Sequence, residues 1–189
     1  VWADSLGYVF ITDFTSNVIR QIDPEGIITS LVTSDGLFNL LLGVWGDQHG
    51  NLYVTDSSVD AIFKINRGNN TIELMAGTGS IACTGGTVSA TETALNSPYL
   101  LFVDAEGDVY FPSFSDRVYR LSGRGESSSP STDSAGTAFV RNFAGNGASG
   151  NGKDNNQISA TLAEFEGPGA VRIDSVNDRI LISDNDGNR

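Results

Sequence analysis

Apolar and polar positions along this chain fall into one phrase that recurs. Residues 44–66, VWGDQHGNLYVTDSSVDAIFKIN, read as an apolar triplet, a polar turn, an apolar run, a second polar turn and a third apolar run. Residues 1–23 (VWADSLGYVFITDFTSNVIRQID) and 101–122 (LFVDAEGDVYFPSFSDRVYRLS) repeat it, and residues 171–189 (VRIDSVNDRILISDNDGNR) begin it a fourth time. Measured from Asp4, Asp47, Asp104 and Asp174, the copies stand 43, 57 and 70 residues apart. The phrase is constant and the connection after it grows, which is the pattern of a repeat architecture with variable loops.

Each part of the phrase predicts an element. The triplets Val1-Trp2-Ala3, Val44-Trp45-Gly46, Leu101-Phe102-Val103 and Val171-Arg172-Ile173 are short first strands. Trp2, Trp45 and Phe102 are expected at corresponding places beside them, as core packing. Asp4, Asp47 and Asp104 are followed three residues later by Gly7, Gly50 and Gly107. An Asp in the first position of a turn accepts the turn amides, and Gly supplies the left-handed residue that closes it. The fourth copy has Asn177 there, the next best residue for that conformation.

The runs at 8–11, 52–54, 109–111 and 180–182 lack strict alternation, as expected of strands buried on both faces. A Thr-Asp or Ser-Asp pair ends three of them, at Asp13, Asp56 and Asp184. The third copy has Pro112-Ser113 instead, so that corner should differ. Third strands are predicted at 19–22, 62–65 and 118–121, and fourth strands at 27–32, 72–76 and 138–144. Four antiparallel strands per repeat make one blade of a β-propeller. The fold class is therefore all-β: a partial β-propeller of about three and a half four-stranded blades.

The phrase resembles the NHL-repeat family. Its apolar-x-apolar-Asp-x-x-Gly opening and the later Asn17-Val18-Ile19-Arg20 match the family pattern, and Asp116-Arg117-Val118-Tyr119-Arg120 matches it loosely. Ala76-Gly77-Thr78-Gly79 leading to Ala90 and Pro98, and Ala144-Gly145-Asn146-Gly147 leading to Ala160 and Pro168, resemble the linker of a common subtype. The resemblance implies a six-bladed ring, so residues 1–189 read as one piece of a longer propeller, with blades at about 1–42, 43–99, 100–169 and an incomplete 170–189. Open blade faces at both ends of such a piece are expected to drive self-association.

The net charge is −12 and the pI about 4.2, with the acidic groups dispersed. That balance argues against nucleic acid, which needs a basic patch, and makes RNA binding in the NHL manner the least favoured function. No apolar run is long enough to span a membrane. Cys83 is the only cysteine, so no internal disulfide forms, and it reads as an unreactive loop thiol. His49, the only histidine, reads as a solvated turn residue. One histidine builds neither a persuasive Ser-His-Asp set nor a zinc site. Asp184-Asn185-Asp186-Gly187 and Asp154-Asn155-Asn156 faintly resemble calcium loops, but the former lacks the closing bidentate Glu and the repeat explains Asp184 as a turn former. No catalytic residue, cofactor or metal is assigned. Asn69-Asn70-Thr71 is an acceptor pattern for N-glycosylation, of use in a secreted chain.

Segments 122–136 and 145–156 are too polar to pack a core. The first reads as an insertion between third and fourth strands, the second as a link between blades. In a four-stranded blade, the second-to-third turn and the blade-to-blade link lie on one face. That gathers Asp13, Asn17, Asp56, Asp60, Asp116, Asn146, Asp184 and Asn188 on a loop-rich face, the usual place for binding on a rigid scaffold. The expected function is a non-enzymatic scaffold that recognises a protein or glycan there. The alternative is a metal-dependent propeller hydrolase or lyase with its site in other blades.

Overall fold

The computed structural model describes residues 1–32, 36–77, 89–122, 138–148, 158–174 and 179–184. Cys83, Asn177 and Asn188, the core of the 122–136 insertion and the Asp154-Asn155-Asn156 segment lie outside them.

Four antiparallel sheets follow one another along the chain. The first is β1 (Trp2–Ala3), β2 (Val9–Asp13), β3 (Val18–Ile22) and β4 (Ile28–Val32). The second is β5 (Leu41–Gly46), β6 (Leu52–Asp56), β7 (Ala61–Asn66) and β8 (Thr71–Ala76). The third is β9 (Phe102–Val103), β10 (Val109–Ser113), β11 (Arg117–Leu121) and β12 (Val140–Ala144), and the fourth is the pair β13 (Pro168–Asp174) and β14 (Arg179–Asp184). Within each sheet the strands neighbour in chain order, the meander of a propeller blade. A single 3-10 turn at Ala160–Leu162 is the only helical element among the described residues.

The repeating phrase is the cause. Asp4, Asp47 and Asp104 directly follow β1, β5 and β9. Their Oδ1 atoms accept amides two and four residues on: Leu6 and Tyr8 at 2.9 Å each, His49 and Asn51 at 2.9 Å each, Glu106 and Asp108 at 3.1 and 2.8 Å. Gly7, Gly50 and Gly107 take φ of 90°, 80° and 90°, a conformation that disfavours a side chain. The same device recurs unforeseen between β3 and β4. There Asp23 Oδ1 accepts from Ile27 N at 2.8 Å and Gly26 has φ 86°.

Strand bounds differ from the sequence reading mainly at the first strands. β5 begins at Leu41 because a bulge between Leu41 and Val44 lets Leu41 pair with Asp56. β13 begins at Pro168 through a similar irregularity, and Asp174 is its last residue. The second strands of the inner blades are buried at every position, as their unbroken apolar runs required: β6 and β10 have no exposed residue. β14 instead alternates between exposed and covered positions.

The core lies between sheets. Phe10 and Ile19 of the first sheet are buried with Val44, Leu52, Val54 and Phe63 of the second. Tyr53 and Ile62 of the second are buried with Leu101, Val109, Phe111 and Leu121 of the third. Trp2, Trp45 and Phe102 do occupy equivalent places, half-buried, and form a row across the blades. Ring centroids are 6.5 Å apart for Trp2 and Trp45, and 4.9 Å for Trp45 and Phe102. Trp2 reaches the second sheet so closely that a Cβ added to Gly46 would lie 2.3 Å from its indole.

Candidate functional site

The loop-rich face starts from the turns after β2, β6 and β10. Each closes on a left-handed residue, Asn17, Asp60 and Asp116, with φ of 52°, 53° and 53°. Asn and Asp are the non-glycine residues that tolerate this region. The turn after β10 is one residue shorter, since Asp13 pairs with Val18 and Asp56 with Ala61, but Ser113 with Arg117. Pro112 also changes the corner. Thr12 and Thr55 donate their hydroxyls onward to Leu42 O (2.9 Å) and Tyr99 O (2.6 Å), a bond proline cannot make.

The turns clasp the links between blades. Asp60 Oδ1 accepts from Ser97 N at 2.7 Å, Asp116 Oδ1 from Gly167 N at 3.3 Å, and Asp184 Oδ1 from Glu166 N at 2.9 Å. Asp56 accepts from four amides: Asn39 (2.6 Å), Leu40 (3.0 Å), Ser58 (3.0 Å) and Val59 (3.4 Å). Each link is also closed on itself. Gly77 N donates to Ala90 O (3.0 Å) and Gly145 N to Ala160 O (2.9 Å), at the same place in two blades. Both glycines have positive φ, and a Cβ would meet Asp60 O at 2.1 Å or Asp116 O at 2.4 Å. The Ala-Gly-x-Gly signature is this clasp.

Turns and links thus share one face, which carries Asp13, Asn17, Asp56, Asp60, Asp116, Asn146 and Asp184. Most of these polar groups point inward. Asp56, Asp60 and Asp184 are buried. Asn146 bonds the link through its own amide to Ala163 O (2.9 Å) and its Oδ1 to Ala148 N (2.7 Å). Asp13 is solvated; hydrogen bonds from Ser16, and then Arg20 at 3.2 Å, hold its carboxyl below the usual range. Among what the face turns outward are large apolar side chains. Phe14 and Phe114 follow Asp13 and Ser113 directly and are 61% and 68% exposed; Leu37, Ile158 and Leu162 on the links are exposed too. Phe114 meets Tyr99 edge-on at 6.1 Å. Sequence reasoning weighted the polar turn formers and missed these rings, although a Phe inside a polar turn is the signal that marks them.

The opposite face carries a cleft of about 250 Å³ between the second and third sheets, lined by His49, Tyr53, Lys64, Glu73 and Glu106 among others. His49 is exposed in its turn, as read. The Tyr53 hydroxyl donates to Asp47 Oδ2 at 3.2 Å; burial, then the Asp47 charge, push its pKa well above that of a free phenol, so it keeps its proton. Among the described residues no three His, Cys, Asp or Glu gather as for a metal ion, and no helix is long and apolar enough to cross a membrane.

No protein-family model matches the chain, and no curated protein matches it. Solved structures do. An auxiliary nutrient binding protein from Bacteroides thetaiotaomicron aligns with 98% of this chain and 44% of its own, at TM-score 0.72 and 17% identity. Virginiamycin B lyase from Staphylococcus aureus aligns over 97% and 47%, at TM-score 0.59 and 15% identity. A nidogen/laminin complex contains a chain aligned over 97% and 55%, at TM-score 0.64 and 16% identity. The chain spans about half the length of the structures it matches. Likeness at such identity shows the fold, and the fold is that of antiparallel β-propeller blades.

Proposed function

We propose that this chain belongs to a non-enzymatic binding module that holds a protein partner against its loop-rich face. The observation that carries the reading is the pair Phe14 and Phe114, exposed at equivalent places in two blades. Exposed aromatics on a rigid frame are what interface hot spots are made of. A nutrient binding protein and a two-protein complex among the similar structures support a binding role. The repeat pattern supports assigning the blades to the NHL type, six to a ring. A glycan stacked on the same rings is the other arm of the test.

The experiment identifies partners by crosslinking in the source, then measures the purified pair by biolayer interferometry, with a glycan array in parallel. Phe14→Ser with Phe114→Ser should weaken protein binding at least about tenfold, roughly 1.4 kcal/mol. Unchanged affinity, or binding confined to glycans, would overturn the proposal. A hydrolase or lyase is the second reading, favoured by the likeness to virginiamycin B lyase. Its metal ligands would have to come from outside the described residues.

A further inference from the structure

The middle residue of each inner triplet is Trp2, Trp45, Phe102 and, in the fourth sheet, Arg172. Three positions are aromatic and one is a cation. The Arg172 guanidinium carbon lies 4.5 Å over the ring of Trp45, two sheets away. On the way its Nη1 donates to Val171 O at 2.7 Å and to Leu101 O, just before β9, at 3.4 Å. A side chain that passes from the fourth sheet across the third to the second must run along the inner edges of the blades. Arg172 therefore lies on the inner wall of the propeller.

Its bonding is incomplete. Arg20, Arg67 and Arg120 each pair with a carboxylate, Asp13, Asp4 and Asp108 respectively. Arg172 has no carboxylate partner among the described residues, and its Nε–H and Nη2–H groups have no acceptor there. It is half-buried, and burial lowers its pKa. A desolvated cation with no carboxylate beside it among the described residues is unfavourable, the more notable in a chain of net charge −12.

We propose that Arg172 and Trp45 form a binding site for a small monocarboxylate with an apolar or ring-shaped body. The free Nε and Nη2 edge of a guanidinium matches the two oxygens of a carboxylate, and an Arg stacked on an indole is held ready for that contact. The aromatic row of Trp2, Trp45 and Phe102 offers the body of the ligand an apolar wall. The apolar wall favours a carboxylate carried on a ring or apolar body over a bare phosphate. The site is separate from the loop-rich face and stands without it.

The test titrates sodium benzoate, benzamide and inorganic phosphate into the protein, by calorimetry and by the fluorescence of Trp2 and Trp45. Benzoate should bind saturably, with benzamide and phosphate at least about tenfold weaker. Arg172→Gln should lose at least about tenfold in benzoate affinity, a loss of roughly 1.4 kcal/mol, and Arg172→Lys should lose less. Trp45→Ala removes the ring under the guanidinium and should weaken benzoate binding at least about tenfold. Urea midpoints show which variants remain folded; if Arg172→Gln does not, Arg172→Lys and the benzoate–benzamide comparison decide. Equal binding of benzoate and benzamide, unchanged affinity in Arg172→Gln, or no saturation by benzoate in the wild-type protein would overturn the proposal and leave Arg172 as a brace between blades.

Discussion

Replacing Asp56 by Ala tests whether buried turn carboxylates hold the blades. Asp56 is fully buried, and its two oxygens accept the amides of Asn39, Leu40, Ser58 and Val59. The Val59 contact, at 3.4 Å, is counted as negligible. A hydrogen bond to a charged acceptor contributes about 1.5–3 kcal/mol, so three would suggest several kcal/mol. Two effects reduce this: removing the carboxylate also removes its desolvation cost, and the amides of Asn39 and Ser58, on exposed residues, regain water. The expected loss is about 3 kcal/mol for Asp56→Ala, and about half that for Asp56→Asn, which keeps one acceptor oxygen. With a urea slope of about 2 kcal/mol/M, the Ala variant's midpoint should fall by about 1.5 M, read from tryptophan fluorescence. Exchange of the Asn39, Leu40 and Ser58 amides should accelerate. Asp13 holds the same place in the first blade but is solvated, so Asp13→Ala should shift the midpoint little. An Asp56→Ala midpoint within about 0.25 M of wild type would refute the reasoning.

Other outcomes follow from the same geometry. Gly46→Ala should cost about 1–3 kcal/mol by driving a methyl into Trp2, with a changed tryptophan emission; a wild-type spectrum and midpoint would contradict the close contact. Gly77→Ala should destabilise by more than about 1 kcal/mol, since φ of 96° and Asp60 O both oppose it; an unaltered thermal midpoint would count against the clasp. Burial, then the neighbouring Asp108 and Glu106, raise the Asp104 pKa, so the folded chain holds that proton to higher pH than the unfolded chain does. Stability should therefore fall as pH rises from about 3.9 through the folded value, and Asp104→Asn should flatten that limb of a urea-midpoint profile. Single-stranded RNA should bind poorly at low salt; sub-micromolar filter binding with a steep salt dependence would contradict the charge argument.

The blades were legible because their turns are written in residues with one physical use. Asp and Gly at 4 and 7, 47 and 50, and 104 and 107 specify a turn that any chain would make locally, and the apolar runs between them have only sheet-on-sheet burial open to them. The bulge that starts β5 at Leu41 was not legible, because it depends on what Asp56 does across the sheet. That the turns after the second strands meet the links was legible from connectivity, but the direction of their side chains was not. Asp60 and Asp116 look like surface residues in sequence, and their partners Ser97 and Gly167 lie 37 and 51 residues away. Arg172 escaped notice for a related reason: its repeat position predicts an aromatic, and only the closing of the blades brings it over Trp45.

The self-closing links have a consequence for how such a chain changes over generations. Gly77 with Ala90, and Gly145 with Ala160, cinch each link at its base, so a change of length between those residues is closed off from the strands by the clasp. Doubling a loop costs only about 0.6 kcal/mol in closure entropy. The copies joined through the 77–90 link stand 57 residues apart against 43 for the first pair, while most of the further widening to 70 falls in the connection between β11 and β12. Heredity can therefore change the length of a link almost independently of the frame that carries it. A foreign peptide spliced between Gly77 and Ala90 would exploit the same freedom, displayed on a scaffold that need not be redesigned to receive it.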